Sequence, residues 1–506
     1  MHPSKRIFVN TIAQYIKAVI DICLALYTTR LILSVMGQDD YGIYQLVAGV
    51  ILMLGFLTNA MVITTQRHLS YQHGQQDARK VRMVFSNSVL LHLGIGVAMI
   101  AVLMVLRNFL VFDYLNIADS RRDTASVVYT MSVLMLFVTF VTAPFKALYI
   151  ARENIVYISV VEVCDAVLKL VLALLLINMQ VDKLLIYSYM MITVHVINFL
   201  AFAIYAMAKF QECSPRHFFA DYDKTSIKAL SGFAAWTTYG MGSIMLRNQG
   251  LQVVLNKEFG TVVNSAYGLA NQIYSKVSFL STSVVNAMNP QIMKAEGAGE
   301  RQKMLMLAEM ESKIVTMLMS LMFIPLIVEM PDVLAFWLKD VPPYTLLFSQ
   351  ILLVCFIVDQ TTYGLQSANQ AIGNIRGYTL IMYTPKLLFL VVAWVVLRYT
   401  ASVAWVMYLY LILEAVMAFV RLLYMKYTAD VRIMPFVMNV VVRIIPMALL
   451  LVAVSMLLKD WFDFRFGFLL TIACAIIVGG IYAWFGVLRK TERDVIANIL
   501  KSKIKK

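Results

Sequence analysis

Apolar stretches long enough to cross a membrane follow one another from one end of the chain to the other. A transmembrane helix needs about 20 predominantly apolar residues. The hydrophobic pattern predicts about fourteen such spans, at 7–34, 41–65, 83–106, 125–149, 154–178, 184–208, 229–255, 261–289, 306–329, 343–370, 377–397, 402–425, 434–458 and 465–488. The short alternating segments typical of a membrane barrel are absent. The pattern therefore predicts an all-α polytopic membrane protein.

One apolar stretch, 255–292, also carries a regular row of polar residues. Steps of three or four place them on one face of a helix: Asn264, Gly268, Asn271, Ser275, Ser278, Thr282 and Asn286, with Ser265, Gln272, Lys276 and Ser283 beside them. Lipid cannot satisfy such a face, so it must meet protein or water. We interpret it as the lining of a central cavity. The alternative is helix packing through small residues and Asn, for which the charge of Lys276 is not needed.

Cations inside other spans extend this hypothesis. Lys17 and Asp21 lie four residues apart on the first span, Arg30 lies near its end, and Arg247 lies on the seventh. Burying a charge in a membrane costs at least a few kcal/mol, which makes such residues functional candidates. The alternatives are a structural Lys17–Asp21 pair and an interfacial position for the two arginines. The predicted substrate-binding set is Lys17, Asp21, Arg30, Arg247, Asn271, Gln272, Ser275 and Lys276.

Carboxylates inside spans suggest a second kind of site. Glu162, Asp165 and Lys169 share one face of the fifth span, and Asp359 lies on a polar face of the tenth. The structural interpretation of Glu162, Asp165 and Lys169 is a cluster whose charges neutralise one another. The sharper hypothesis is ion coupling through Glu162, Asp165 and Asp359, because carboxylates in a membrane titrate readily.

Composition narrows the class of protein. The chain is 61% hydrophobic and 14% charged, with a formal net charge of +14. The cations outside the spans concentrate in alternate loops, including the one at Arg79–Lys80, and in the tail after Arg489. This asymmetry predicts that both termini are cytoplasmic and explains the charge without nucleic acid, leaving membrane lipids as a secondary partner.

No catalytic or cofactor motif is present. The sequence has no Walker A or HExxH motif, and its five cysteines are scattered singly. We therefore expect no enzyme activity, no ATP hydrolysis, no metal and no cofactor.

Two sequence matches indicate that the halves of the chain are related. Residues 37–57 resemble 260–280, with Gly37 opposite Gly260, and ARENI at 151–155 resembles AIGNI at 371–375. Six spans per half keep two such repeats in the same orientation. The predicted organisation is an N-terminal six-helix lobe at 1–208, a cytoplasmic linker at 209–228, a C-terminal six-helix lobe at 229–425, and two further helices with a basic cytoplasmic tail at 426–506.

Several of these segments resemble a known superfamily. The stretches LILSVMGQDDYGIYQLVAGV, NQGLQVVLNKEFGTVVNSAYGLANQI, NPQI at 289–292, PFKALYIARENIVYISVVE and NQAIGNIRGY resemble the multidrug/oligosaccharidyl-lipid/polysaccharide (MOP) exporter superfamily, most closely its polysaccharide-synthesis branch. The resemblance implies two helical lobes around a central cavity and alternating access driven by an ion gradient. No binding residue transfers by motif match.

The resemblance also implies a substrate, an undecaprenyl-diphosphate-linked oligosaccharide moved from the cytoplasmic to the periplasmic leaflet of a bacterial inner membrane. This would serve O-antigen, lipopolysaccharide or capsule synthesis, with a polysaccharide polymerase and glycosyltransferases as candidate partners. The alternatives are a peptidoglycan-precursor or multidrug exporter of the same fold. The alternative of another class is a membrane polymerase or ligase, against which the repeat and the short outer loops count.

Overall fold

The described part of the protein is almost entirely helical. The computed structural model describes residues 3–52, 54–115, 117–214, 221–338, 340–400, 402–462, 464, 466–490 and 492–493. Within these residues there are helices and no strand, which confirms the predicted fold class of an all-α polytopic membrane protein. Residues 215–220 of the predicted linker and the tail beyond 493 lie outside the described residues.

Seven helices make up most of the first half of the chain. They are α1 (Pro3–Met36), α2 (Gln38–Leu52), α3 (Gly55–Gly74), α4 (Ala78–Asn108), α5 (Arg122–Ala151), α6 (Ile155–Ile177) and α7 (Lys183–Lys209). A π-helical turn at Phe109–Tyr114 continues α4, and 3₁₀ turns lie at Asp119–Arg121 and Gln211–Cys213.

The rest of the chain begins with a very long element. The helices are α8 (Lys224–Gly297), α9 (Arg301–Val328), α10 (Met330–Trp337), α11 (Thr345–Gln360), α12 (Tyr363–Ile372), α13 (Arg376–Thr400), α14 (Val403–Ala429), α15 (Ile433–Val437), α16 (Arg443–Trp461) and α17 (Gly467–Tyr482). π-Helical segments at Met438–Val442 and Ala483–Val487 join α15 to α16 and extend α17.

Every predicted span lies on helix, but not every one is strongly apolar. Of the described residues, nine helices are long and apolar enough to cross a membrane, and the α11–α12 pair, bent by 46°, makes up to ten. The other predicted spans fall on α2 with α3, on α6 and on the two segments of α8. The span on α6 contains the charged residues Glu162, Asp165 and Lys169, and the two spans on α8 contain Arg247 and the polar row around Lys276.

The chain divides into two compact units. The N-terminal unit is Val9–Met241, and the C-terminal unit contains the described parts of 1–8 and 242–506. The N-terminal unit packs α5 against α3, α4 and α7, and the C-terminal unit packs α9 against α11, α12, α16 and α17. The predicted domain boundaries at 208, 228 and 425 stay predictions.

Left-handed backbone positions recur at matching places in the two halves. Gly37 has φ +82° and Gly260 has φ +79°, and both break a helix. In the second matched pair, Glu153 has φ +58° and its counterpart Gly373 has φ +94°. A positive φ is uncommon outside glycine, so its recurrence at both matched joints supports the internal repeat.

An arginine ties three elements of the N-terminal unit together at the predicted outer side. Nε and Nη2 of Arg121 both donate hydrogen bonds to the carboxylate of Asp40 on α2. Nη1 of the same arginine lies 2.7 Å from Oδ2 of Asp182, the residue that caps the N-terminus of α7. Burial acts to raise the pKa of Asp182, but Arg121 and the Leu185 N–H outweigh it, so this pKa lies below its ordinary value. We refer to these three residues as the outer clamp.

Candidate functional site

A cavity inside the N-terminal unit collects charged side chains from three helices. It has a volume of about 470 Å³ and is lined by α1, α5, α6 and α7. Its charged lining residues are Lys17, Asp21, Lys146, Glu162, Asp165 and Lys169. Three cations and three carboxylates therefore face one space, and the cavity is electrically balanced.

Glu162 lies at the centre of this group and bridges two lysines. Its Oε2 lies 2.6 Å from Nζ of Lys17, and its Oε1 accepts a hydrogen bond of 2.9 Å from Nζ of Lys146. Lys17 is also 3.3 Å from Asp21, one turn along α1. The predicted Lys17–Asp21 pair is confirmed as a contact, and Glu162 joins it from another helix.

Asp165 has a separate set of partners in the same cavity. Lys169, four residues on, lies 2.7 Å away, and Nδ2 of Asn198 on α7 approaches at 3.4 Å. His195 also lines the cavity, and its Nδ1 lies 2.8 Å from the Met191 carbonyl oxygen. The arrangement brings Lys17, Asp21, Glu162 and Asp165 together from both predicted sets.

A second charged network is buried in the C-terminal unit. Glu414 on α14 accepts hydrogen bonds of 2.6 Å from Arg247 on α8 and of 2.6 Å from Lys386 on α13. Arg421, also on α14, lies 2.9 Å from Oδ1 of Asp359 on α11. All of these side chains are buried except that of Asp359, which is 22% exposed.

The C-terminal network has more cations than carboxylates. Within the described residues, the carboxylates paired with Arg247, Lys386 and Arg421 are Glu414 and Asp359, with Lys386 also 3.8 Å from Asp359. Tyr410 partly offsets the excess, because its ring lies 4.7 Å below the Arg247 guanidinium. Arg247 is therefore enclosed and paired within its own unit, and the interfacial alternative stays a prediction.

The polar face of α8 differs from both networks because it is exposed. Gln272, Ser275 and Lys276 are exposed, and Asn271 is half-buried. The hydroxyl of Ser275 donates to the Gln272 carbonyl oxygen at 3.0 Å, and Nδ2 of Asn271 donates to that of Tyr267 at 3.2 Å. Within the described part of the chain, no carboxylate lies within ion-pair distance of Lys276. This lysine can therefore meet an anion from outside the unit.

Arg30 completes the predicted set. It is exposed on α1 and has no ion pair among the residues that the structure describes. It does not line the cavity that contains Lys17 and Asp21. The predicted binding residues thus fall into three groups: the cavity of the N-terminal unit, the buried network around Arg247, and exposed positions at Arg30 and on α8.

Sequence patterns missed several members of these networks. Lys146 and Arg421 were not predicted as site residues, although each binds a carboxylate that was. Their partners lie on other helices, so spacing along the chain carries no signal for them. For metals, no group of three or more His, Cys, Asp or Glu side chains within the described residues is arranged to hold an ion.

Comparison with known proteins identifies the fold. No family model matches the chain, and no curated protein matches it. Solved structures do match over 85% of this chain: a MATE in the bent conformation (TM-score 0.74, 15% identity, 96% of that chain) and an outward-facing multidrug resistance MATE transporter of the MOP superfamily (TM-score 0.73, 15% identity, 96% of that chain).

A third match is a MOP superfamily transporter from Pyrococcus furiosus, with a TM-score of 0.71, 14% identity and coverage of 85% of this chain and 96% of that one. For that protein, a reversed polarity of the binding pocket suggests a different function. At these identities the matches show a shared fold. The chain has the helical fold of MATE transporters of the MOP superfamily.

Proposed function

We propose that this chain is an exporter that works by alternating access and that its substrate is a lipid-linked oligosaccharide. In this proposal it moves an undecaprenyl-diphosphate-linked repeat unit from the cytoplasmic to the periplasmic leaflet, for surface polysaccharide synthesis. The shared MATE fold supports transport, and the sequence resemblance to the polysaccharide branch supports the substrate class.

The observation that carries the proposal is the exposed polar face of α8 around Lys276. A diphosphate headgroup is anionic, and sugars need hydrogen-bond donors and acceptors. Lys276 supplies a cation with no carboxylate partner among the described residues, and Gln272 beside it supplies an exposed amide. A cation in a low-dielectric site attracts a diphosphate strongly. An organic cation would instead be repelled by this face.

The cavity of the N-terminal unit fits the ion-coupling part of the proposal. Its carboxylates Glu162 and Asp165 are held by lysines, so a change in the protonation of one group alters the balance of the whole cluster. Asp359 is held in the same way by Arg421. We propose these three carboxylates as the coupling groups, with the ion gradient rather than ATP as the driving force.

A multidrug exporter is the second candidate, and two observations favour it. The multidrug resistance transporter named above shares this fold. The N-terminal cavity also contains Asp21 and Asp165, which could bind a cationic drug.

The deciding experiment locates the lipid-linked repeat unit after deletion of the gene. Intact spheroplasts are treated with a membrane-impermeant reagent that modifies sugars. We expect single repeat units to accumulate out of reach of the reagent and surface polysaccharide to be lost. Units that reach the outer face but stay unpolymerised would point to a polymerase or ligase instead. Intact polysaccharide with lost tolerance to cationic drugs would favour the multidrug exporter.

A further inference from the structure

Among the described residues, the carboxyl group of Glu311 is fully buried and has no cation within ion-pair distance. Glu311 on α9 is 0% exposed, and its Oε1 accepts a hydrogen bond of 2.7 Å from the Ser367 hydroxyl on α12. Its Oε2 is also buried and has no hydrogen-bond partner among the described residues. A buried polar atom without a partner is costly and calls for an explanation.

The charged groups around Glu311 are engaged elsewhere. No cation in the described residues lies within ion-pair distance of it, whereas Glu162, Glu414 and Asp359 each have one. The titratable groups on α9 itself are Arg301 with Glu296, Lys303 with Glu300, Glu309 with Arg489, and Lys313 with Glu492. On the elements packed against α9, and at its end, they are Asp359 with Arg421, Glu329 and Asp332 with Lys459, Arg443, Asp460, Tyr363, Tyr482, Cys355 and Cys474. An unpaired buried carboxyl is stable only when it carries a proton.

The contact between α9 and α12 leaves no space at this point. A Cβ added at Gly364 would lie 1.9 Å from the Ala308 carbonyl oxygen. The Gly364 N–H donates to Oγ of Ser312 at 3.0 Å, next to Glu311. The two helices therefore meet backbone to backbone within one turn of Glu311, whose side chain has no exposed surface.

A bend of the chain lies directly beside this contact. α11 and α12 are inclined by 46° across Thr361 and Thr362. Arg421 holds the α11 side of the bend through Asp359 and Thr362, and Ser367 holds the α12 side through Glu311. α12 is thus a short helix of ten residues, bonded to α9 through Ser367 with Glu311 and through Gly364 with Ser312.

We propose that Glu311 is a proton-binding site and that its ionisation releases α12 from α9. The proton leaves Oε2 for a water molecule, and the resulting carboxylate requires solvent, which enters only when α12 moves away. When the Glu311 carboxylate takes up a proton from water again, the closed contact between α9 and α12 is restored. A role of Glu311 in coupling transport to a proton gradient rests on the proposed exporter function. The proton-dependent release of α12 from α9 does not rest on it.

Infrared spectroscopy tests the proton directly, on the purified full-length protein without substrate. A protonated carboxyl has a C=O stretch that a carboxylate lacks. We expect a band that disappears as the pH is raised and that is missing in Glu311→Gln but retained in Glu300→Gln, an exposed glutamate just before α9. A band that is unchanged in Glu311→Gln overturns the proposal, as does a Glu311 band that never titrates. If Glu311→Gln does not fold, Glu311→Asp should displace the band.

Thiol accessibility tests the movement. Ala371 is buried on α12, one turn beyond Ser367. The five native cysteines are changed to alanine, and Ala371→Cys is introduced into this background. The variant is treated with a charged maleimide at pH values below those at which the new thiol and Glu311 titrate. Thiol ionisation alone raises the rate roughly tenfold per pH unit, and a single ionisation that opens the helix adds roughly another tenfold. We expect the rate of maleimide labelling to rise roughly hundredfold per pH unit when Glu311 is present and roughly tenfold per pH unit in Glu311→Gln.

Equal slopes in the two backgrounds would overturn the proposal. Neither measurement needs a substrate, so both outcomes are independent of the deletion experiment on the lipid-linked repeat unit. If the switch is present and that experiment favours a different substrate, Glu311 remains a proton site of a different exporter.

Discussion

Individual charges in this protein fall into two classes, those that are neutralised within their unit and those that are not. Glu162 and Glu414 each bridge two cations from different helices. Lys276 and Arg30 are exposed, and no carboxylate in the described part of the chain neutralises them. Charges of the first class join helices to one another, and those of the second class are the ones that we propose for substrate binding.

At Lys276 we expect a functional effect without a structural one. Lys276→Ala should reduce export of the lipid-linked unit roughly tenfold or more, because a hydrogen bond to a charged group contributes about 1.5–3 kcal/mol. Export is measured at matched protein level. Lys257→Ala, an exposed lysine on the same helical element, is the control and should export normally. Equal export by both variants would remove Lys276 from the site.

At Glu414 we expect a structural effect. Glu414→Gln leaves Arg247 and Lys386 buried and without their carboxylate, which should lower the free energy of unfolding by about 3–5 kcal/mol. Thermal unfolding of the purified protein in detergent measures it. Adding Lys386→Met should recover part of the loss. Glu300→Gln, at an exposed pair with Lys303, should change stability by less than about 1 kcal/mol. A Glu414→Gln variant as stable as the wild type would contradict this account.

Among the elements, joints between helices depend on backbone geometry at single residues. Gly260 has φ +79° and ψ −170°, in the middle of the long element α8. That region of conformational space is open essentially only to glycine. Gly260 therefore divides α8 into two helical segments.

Gly260→Ala should therefore lower stability by about 1–3 kcal/mol through backbone strain. Gly268→Ala is a matched control, since Gly268 is helical and a Cβ there would meet nothing within 4 Å. The control should be neutral or slightly stabilising. The melting temperature of the purified protein gives the comparison, and equal values for the two variants would exclude strain at Gly260.

The outer clamp should give the N-terminal unit an acid-sensitive contribution to stability. The pKa of Asp182 is depressed in the folded state, so the stabilisation is present above the unfolded pKa of about 4 and is lost as the pH falls below it. Arg121→Gln should lower the free energy of unfolding by about 1 kcal/mol at neutral pH, because the clamp is partly exposed. This difference from the wild type should shrink below about pH 4; a constant difference would contradict the role of Asp182.

Local patterns predicted more of the elements than of the site. The Lys17–Asp21 contact follows from spacing along a helix, and the break near Gly260 follows from the gap between the predicted spans 229–255 and 261–289; both are present. The pairs Lys146–Glu162 and Arg247–Glu414 join residues 16 and 167 positions apart on different helices. Such pairs depend on which helix faces which, and the hydrophobic pattern of a membrane helix identifies its polar face but not the partner of that face.

At the scale of the whole molecule, the fold is that of MATE transporters, and its orientation in the membrane is the next quantity to establish. The excess of Lys and Arg in alternate loops predicts that both termini are cytoplasmic. Green fluorescent protein fused after Lys506 should be fluorescent, and alkaline phosphatase fused there should be inactive. A phosphatase fusion in the predicted outer loop after Met179 is the control and should be active. Active phosphatase at the C-terminus would reverse the predicted orientation.

The left-handed joints shared by the two halves also bear on how substitutions in the two halves can be compared. Gly37 corresponds to Gly260, and Glu153 to Gly373, but the buried charges of the two units do not correspond. A substitution at one of these joints therefore has a counterpart in the other half against which its effect can be compared, whereas a substitution at a buried charge has none.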